Sequence, residues 1–165
     1  MTMAASKRCL LWDWTNTANL PDSIEKVNFT SFSSVANWNA WSPPELKGRL
    51  PFRPTVRGMG QITEKNEWDM ISNNDHEIIH YFNEPERAGI QAQEAANLWV
   101  EKMVPLRKDK GKKLVSPGCA SDPAGEEWLD GFMKAVEAAN EPPDYLSLHY
   151  YGPEVKGAIQ YIEKM

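Results

Sequence analysis

Short apolar runs alternate with amphipathic stretches along most of the chain. The run over residues 77–82 is dense in β-branched and aromatic residues, and it ends in Asn83-Glu84-Pro85. This pattern predicts a buried β-strand with an amide and an acid at its carboxyl end. Five more strands are predicted, at residues 7–14, 32–36, 54–60, 113–118 and 144–151.

After the Glu84 strand the apolar positions change to helical spacing. They recur at intervals of four, four and three, at Ala95, Trp99, Met103 and Leu106. This spacing predicts a helix over residues 90–108, in which Pro105 can introduce a kink. Asp122 and Pro123 predict the N-cap and first position of another helix. Its apolar face is Trp128, Leu129, Phe132, Met133 and Val136. Shorter helices are predicted at residues 64–71 and 153–165.

Strands that alternate with helices at this spacing predict parallel β-α-β units. An open dinucleotide-binding sheet would have a glycine-rich turn after its first strand, and Trp14-Thr15-Asn16-Thr17 contains no glycine. We therefore favour an α/β fold of the (β/α)8 TIM-barrel type. The 165 residues hold about six of the eight β/α units and fall short of the roughly 200 residues usual for this barrel. We expect a single, incomplete domain over residues 1–165.

Composition and charge exclude several classes of function. The net charge is −5 and the basic run at 108–113 is local, so we expect no nucleic-acid partner. The apolar run after the basic N-terminus is too short for a secretory signal, and no apolar stretch could cross a membrane. We expect no membrane partner, and no signal for a compartment is visible. Cys9 and Cys119 lack metal or disulfide spacing and are expected to be at least half-buried.

One motif suggests a different chemistry. His76-Glu77-Ile78-Ile79-His80 matches the H-E-x-x-H signature of zinc proteases, which needs both histidines on one face of a helix. The surrounding residues favour a strand, on which the two histidines would lie roughly 13 Å apart at about 3.3 Å per residue. We therefore predict no metal site.

The ends of two predicted strands should bring functional groups to the same barrel mouth. Asn83 and Glu84 follow one strand, and His149 and Tyr151 end another. Such groups are typical of glycosidases, because a glycosidic oxygen leaves only when it is protonated. Two other interpretations remain open: Glu84 as a charge at a helix N-terminus, and His149 as a structural histidine. The seven tryptophans could stack on sugars or fill the core.

Two segments together resemble the catalytic core of glycoside hydrolase family 128, the alkali-sensitive-linkage type found in fungi and bacteria. They are Tyr81-Phe82-Asn83-Glu84-Pro85-Glu86 and Leu148-His149-Tyr150-Tyr151-Gly152. Other strand ends are also similar, at Trp12-Asp13-Trp14-Thr15-Asn16, Trp38-Asn39-Ala40-Trp41-Ser42-Pro43 and Val115-Ser116-Pro117. The resemblance implies a retaining enzyme acting on β-1,3-glucan without metal or cofactor. It also implies a protein that is secreted or tied to the cell wall, and a monomer when complete.

The resemblance assigns a role to each of six residues. Glu84 is implied as the acid/base, Asn83 as a sugar-holding neighbour, His149 and Tyr151 as site-lining, and Trp38 and Trp41 as sugar platforms. The family's nucleophilic glutamate, in a run like Trp-x-Thr-Glu-Phe on a seventh strand, has no counterpart here. We therefore expect a C-terminally incomplete domain. The alternative is a carbohydrate-binding or cell-wall-associated protein without turnover, since an aromatic cleft can bind glucan without a nucleophile.

Overall fold

The computed structural model describes residues 7–165, and residues 1–6, which carry part of the N-terminal signal interpretation, lie outside it. The described residues form six β-strands. They are β1 (Cys9–Leu11), β2 (Ser34–Ala36), β3 (Phe52–Arg53), β4 (Thr55–Val56), β5 (Ile78–Asn83) and β6 (Lys113–Gly118). All paired strands are parallel, in two sheets of order β1-β2-β3 and β4-β5-β6. The α/β class is confirmed, and the described residues close no barrel.

The two sheets meet at Pro54, which separates β3 from β4. β3 pairs with β2 on one side, whereas β4 pairs with β5 on the other. The His80 amide donates to the Pro54 carbonyl at 2.9 Å, so pairing to β5 continues through the junction. Of the strand predicted over residues 54–60, only β4 is present, as the second of two short strands in one extended segment. Met59 and Gly60 instead begin an α-helix, so the prediction is wrong there. Strand order across both sheets follows chain order.

Seven α-helices lie in the described part of the chain. They are α1 (Trp14–Asn19), α2 (Met59–Thr63), α3 (Lys65–Ser72), α4 (Ala92–Leu98), α5 (Val104–Lys110), α6 (Pro123–Ala138) and α7 (Val155–Lys164). The helices predicted at residues 64–71 and 153–165 correspond to α3 and α7. The predicted cap of α6 is confirmed, because Asp122 Oδ1 accepts the Gly125 amide at 2.9 Å and Pro123 is the first helical residue. None of the helices within residues 7–165 is long and apolar enough to span a membrane.

The long helix predicted over residues 90–108 is present but is not α-helical throughout. A π turn, Trp99–Met103, joins α4 to α5, and the Val104 amide donates to the Trp99 carbonyl. Pro105 follows at once and has no amide hydrogen, so it cannot continue an α-helical ladder through this region. The predicted apolar face is buried along its whole length, at Ala95, Trp99, Met103 and Leu106.

Residues 15–19, which read as a turn after the first strand, form helix α1 instead. Asp13 Oδ1 accepts the Thr15 amide at 3.0 Å, and Asn16 Oδ1 accepts the Asp13 amide at 3.3 Å. This reciprocal capping box satisfies amide groups that have no partner inside a helix. The cap offsets the weak helix propensity of a threonine- and asparagine-rich segment.

The strand predicted at residues 144–151 is reduced to isolated pairing. It forms two parallel bridges to the β6 region, at Val115–Tyr145 and Cys119–Leu148. Between them the Ser147 amide donates to Ser116 Oγ at 2.8 Å, so a side chain takes the place of a backbone acceptor. The ladder is interrupted, but the direction is the predicted one, and residues 149–151 still lie near the end of β6.

The larger apolar core lies between β4–β6 and helices α2–α6, and its largest buried side chains are Trp99, Tyr81, Phe82 and Phe132. Trp99 and Phe132 pack edge to face with ring centroids 5.7 Å apart. The buried Tyr81 hydroxyl donates to the Ala95 carbonyl at 3.0 Å. A smaller core under β1–β3 contains Trp12, Ile24, Val35, Leu46 and Phe52. The larger core therefore supports β5 and β6, whose ends carry the polar residues discussed below.

Replacing a core leucine should separate burial from hydrophobicity as a source of stability. Leu129 is 1% exposed, whereas Leu20 is 65% exposed. Leu129→Ala should lower the free energy of unfolding by about 2–5 kcal/mol, because it removes buried methyl groups and leaves a cavity. Leu20→Ala should change it by less than about 0.5 kcal/mol. Urea denaturation of both variants measures the difference, and equal effects would contradict the core described here.

Candidate active site

Glu84 directly follows β5 and has an unusual backbone conformation. Its φ is 46°, in the left-handed region that residues other than glycine rarely adopt. The Glu84 amide donates to the Gly118 carbonyl at 2.8 Å, and the Asn83 amide donates to the Arg57 carbonyl at 3.1 Å. These bonds hold the end of β5 between its two neighbours. Strain of this kind costs about 1–3 kcal/mol and concentrates at functional sites.

The Glu84 carboxylate receives two hydrogen bonds on the same oxygen. Oε1 lies 3.0 Å from His149 Nδ1 and accepts the Tyr151 hydroxyl at 2.8 Å. Oε2 accepts none of the hydrogen bonds formed among residues 7–165. The Glu84 and His149 side chains are 25% and 26% exposed, so both are partly shielded and still open to solvent. One oxygen is therefore held in place and the other is free.

These contacts shift the pKa values of the groups involved. The hydrogen bond from His149, followed by that from Tyr151, lowers the pKa of Glu84 because both favour the charged form, and together they outweigh partial burial. The pKa of Tyr151 is raised because its hydroxyl donates to the carboxylate. Glu84 is thus ionised at neutral pH in this structure.

Glu84 lines two adjoining cavities of about 560 and 540 Å³. Both cavities are also lined by Trp38 and Asn83, and the Trp38 indole donates to Asn83 Oδ1 at 3.0 Å. The first cavity contains His149 and Tyr151 in addition. A ligand that occupies both cavities would pass directly beside the carboxylate.

The structure brings together five of the six residues predicted for the site. Asn83, Glu84, His149, Tyr151 and Trp38 all line the first cavity. Trp41 lines neither of these two cavities. It lies on the same loop as Trp38, where its carbonyl accepts a 3.4 Å hydrogen bond from Asn37. Its role as a sugar platform stays a prediction.

Two further cavity residues, Asp13 and His80, were not among the six residues predicted for the site. Asp13 Oδ2 accepts a hydrogen bond from Asn39 at 3.1 Å, and its position just after β1 matches that of Glu84 after β5, which was the available signal. His80 lies on β5, and burial, with a smaller contribution from Arg53, lowers its pKa to about 4. His80 is therefore neutral at physiological pH.

The H-E-x-x-H motif does not form a metal centre in the described structure. His76 precedes β5 and His80 lies within it, which confirms the strand interpretation. The two histidines line different cavities. Across residues 7–165 there is no group of three or more histidine, cysteine, aspartate or glutamate side chains that could hold a metal ion.

The segment after β6 is tied to the turn that follows Glu84. The Ala120 amide donates at 2.9 Å to Glu86 Oε1, whose side chain is only 5% exposed. Asp122 forms an ion pair with Arg87. Cys119, buried between these groups, has its pKa raised by burial, so its thiol stays protonated. The two strand ends are thereby fixed relative to each other.

An acid that lies with hydrogen-bond donors in an aromatic cavity of an α/β fold is an arrangement typical of glycoside hydrolases. A sequence model of the glycosyl hydrolase catalytic core matches residues 10–165, and the chain belongs to that family. No curated protein sequence gives a significant match. The solved structures that are similar to this chain are enzymes of glycoside hydrolase family 128.

One similar structure is a family 128 (subgroup VI) exo-β-1,3-glucanase from Aureobasidium namibiae, with 48% identity over 99% of this chain and a TM-score of 0.92. Another is a subgroup IV endo-β-1,3-glucanase from Lentinula edodes, with 25% identity over 98% and a TM-score of 0.76. A subgroup III exo-β-1,3-glucanase from Blastomyces gilchristii shares the fold, with 23% identity over 97% of this chain and a TM-score of 0.75, and this chain spans 68% of that enzyme. This chain spans 65% of the Aureobasidium enzyme and 66% of the Lentinula enzyme. The predicted family 128 resemblance is confirmed.

Removing the Tyr151 hydroxyl should raise the pKa of Glu84. A carboxyl group whose pKa lies below its ordinary 4.5 stabilises the folded protein above that pH, and this contribution is lost as pH falls through the folded-state pKa. Tyr151→Phe should therefore move the Glu84 titration upward and reduce the acid-dependent part of stability. Carbon-13 NMR of the carboxyl group and urea unfolding at pH 7 and pH 3 measure the two effects. Tyr145→Phe is the control, because Tyr145 lines neither of the two cavities beside Glu84. An equal shift in both variants would contradict the hydrogen bond.

Proposed function

We propose that this chain forms most of a retaining β-1,3-glucan hydrolase in which Glu84 is the acid/base. The observation that carries the proposal is the position of the Glu84 carboxylate beside Trp38 and Asn83, where two cavities adjoin. Family membership and the glucanase activities named for the similar structures support the same reaction class. The partner is a polysaccharide, and the setting is a secreted or cell-wall protein that is a monomer when complete.

The proposed architecture is a single catalytic domain over residues 1–165 that supplies about six of the eight units of a (β/α)8 barrel. Three features support it: all paired strands are parallel, strand order follows chain order, and one extended segment links the two sheets. Since β3 and β4 lie in one extended segment, β1–β6 occupy five barrel positions. The segment that contains Leu148 pairs in parallel with Cys119, just after β6, and supplies the sixth position. The remaining barrel units and the nucleophilic carboxylate are proposed to come from residues outside this sequence.

In the proposed first step, Glu84 Oε2 gives a proton to the glycosidic oxygen while the bond between that oxygen and the anomeric carbon breaks. The nucleophile bonds to that carbon and forms a glycosyl-enzyme. In the second step, ionised Glu84 takes a proton from water, whose oxygen displaces the nucleophile. His149 and Tyr151 hold Oε1 throughout, which leaves Oε2 to carry the proton in both steps.

The nucleophile has a second effect in this proposal, on the protonation of Glu84. With its present neighbours Glu84 has a lowered pKa and is ionised, a state suited to the base and not to the acid. A second carboxylate at the roughly 5–5.5 Å separation of retaining enzymes would raise the pKa of one member of the pair. A site without that carboxylate lacks both the attacking group and the proton donor.

Trp38 and Asn83 are proposed to hold the sugar. The indole ring is half exposed in the cavity wall and can stack on the apolar face of a glucose unit. Its N–H already donates to Asn83 Oδ1, which orients the amide and leaves Asn83 Nδ2 to donate to a sugar hydroxyl. The two residues therefore offer one apolar and one polar contact beside the acid.

The reaction is best tested in a chimera that joins this chain to the part of the Aureobasidium enzyme that it does not cover. The chimera should release reducing sugar from laminarin, and Glu84→Gln in the chimera should lower turnover by about 10²–10⁴-fold while preserving the fold. The 165-residue chain alone should release none, because the proposal places the nucleophile outside it. Undiminished turnover in Glu84→Gln would exclude Glu84 as the acid.

The same assay decides the competing function, a carbohydrate-binding protein without turnover. The aromatic cavity favours this second candidate as much as the first, since stacking needs no nucleophile. Retention on insoluble β-1,3-glucan with no sugar release from the chimera would establish the binder. Release by the 165-residue chain alone would instead show that a second working carboxylate lies within it, and Asp13, also on the cavity wall, would be the first candidate.

Binding of laminari-oligosaccharides should depend more strongly on Trp38 than on Trp41. Trp38→Ala should weaken binding about tenfold, equivalent to about 1.4 kcal/mol for a lost stacking contact. Trp41→Ala should weaken binding less, because Trp41 lines neither of the two cavities beside Glu84. Trp38→Phe should retain most of the binding. Calorimetric titration of the chimera carrying Glu84→Gln avoids turnover during the measurement. A larger loss for Trp41→Ala than for Trp38→Ala would reverse the assignment.

A further inference from the structure

Gly118, the last residue of β6, contacts the acid through its backbone. Its carbonyl accepts the Glu84 amide at 2.8 Å, directly after Asn83 pairs with Gly118 in the β5–β6 ladder. This bond fixes the residue whose backbone is left-handed. Any residue at position 118 could provide the carbonyl, so the bond does not explain why glycine is present.

The side-chain space at Gly118 does explain the glycine. A Cβ atom built there would lie 2.4 Å from His149 Nε2, 2.9 Å from His149 Cδ2 and 2.9 Å from Ser147 Oγ. Contacts below about 3.0 Å are not found for real Cβ atoms, so the neighbours would have to move. The clashing atoms belong to the imidazole and to a rotatable hydroxyl, which can move more easily than the β6 backbone. The imidazole of His149 therefore occupies the space that a side chain at position 118 would need.

The opposite edge of the same ring holds Glu84. His149 Nδ1 lies 3.0 Å from Glu84 Oε1 while the Nε2 edge lies against Gly118. The residues just after Gly118 bind the backbone of the two residues that donate to Glu84. The Cys119 carbonyl accepts the His149 amide at 3.3 Å, and Ser121 Oγ accepts the Tyr151 amide at 3.3 Å. The end of β6 thus fixes the acid, the imidazole and the backbone of the tyrosine.

We propose that Gly118 is a positioning residue for Glu84, the proposed acid. Because Gly118 has no side chain, the ring of His149 can lie at hydrogen-bonding distance from the Glu84 carboxylate. This inference rests on the proposed function of Glu84, although the positioning itself can be measured without turnover. A methyl group at position 118 would push the ring away and break the bond to Oε1 while the strand stays in place.

Several other ionisable groups face this pair and stay unchanged in the variants that test it. Arg87 lies near Glu84 from the same turn, and Cys119 approaches from the segment after β6. His80 faces His149 from β5, and Glu86 faces Tyr151. A change in the Glu84 titration on substituting Gly118 would therefore report the loss of the His149 contact.

The test compares Gly118→Ala, His149→Ala and the double variant by carbon-13 NMR titration of the Glu84 carboxyl group. The chain has only three histidines, so the imidazole signals can also be followed individually. The Glu84 pKa should rise in Gly118→Ala, rise in His149→Ala, and rise no further in the double variant, because both changes remove one hydrogen bond. Gly131→Ala is the matched control, since its Cβ would lie at an acceptable 3.4 Å from Ala92 and should leave the titration unchanged.

A Glu84 titration that is unchanged in Gly118→Ala but shifted in His149→Ala would overturn the proposal. If Gly118→Ala alone fails to fold, the double variant should fold, because the ring that clashes with the methyl group is gone. A double variant that also fails would show a merely structural glycine. In the active chimera, Gly118→Ala should lower kcat about 100-fold with little change in KM, and it should add no loss to His149→Ala. A chimera without activity would count against the proposed function alone, because the titration still decides the role of Gly118.

Discussion

The hydrogen bond from the Glu84 amide to the Gly118 carbonyl is the constraint on which the site depends. It closes the β5–β6 pairing at a residue that must adopt a left-handed backbone, and the buried sheet below offsets the cost of that conformation. It fixes the backbone from which the Glu84 side chain extends. With it, Oε1 reaches both His149 and Tyr151, and the other oxygen stays open to the cavities.

Much of this arrangement could be predicted because it depends on local pattern. The β-branched run of β5 identified the strand, and the polar residues directly after it placed Asn83 and Glu84 at a mouth shared with His149. The α6 cap at Asp122 followed from a side chain that satisfies free amides near its own position. Such signals act over a few residues, so the sequence displays them directly.

The features that were not predicted depend on contacts between distant residues. Helix α1 needs the reciprocal cap at Asp13, which outweighs the turn-forming composition around it. The last strand is interrupted because a Ser116 side chain, far away in sequence, competes for a backbone amide. The left-handed backbone of Glu84 is imposed by the neighbouring strand. Trp38 and Trp41 share one loop, and only the folded chain decides which of them faces the cavity.

The π turn at Trp99–Met103 sets the rotational phase of the helix that follows it. Apolar residues spaced four apart overshoot a full α-helical turn by about 40° at each step, and the wider π turn absorbs that drift. Beyond it, Arg107 donates to the Pro142 carbonyl at 2.6 Å and pairs with Glu141, at the start of the segment that leads to His149. A one-codon deletion inside the turn would rotate Arg107 by about 100°. Such a deletion would change the position of His149, and so the hydrogen bond to Glu84, without altering either residue.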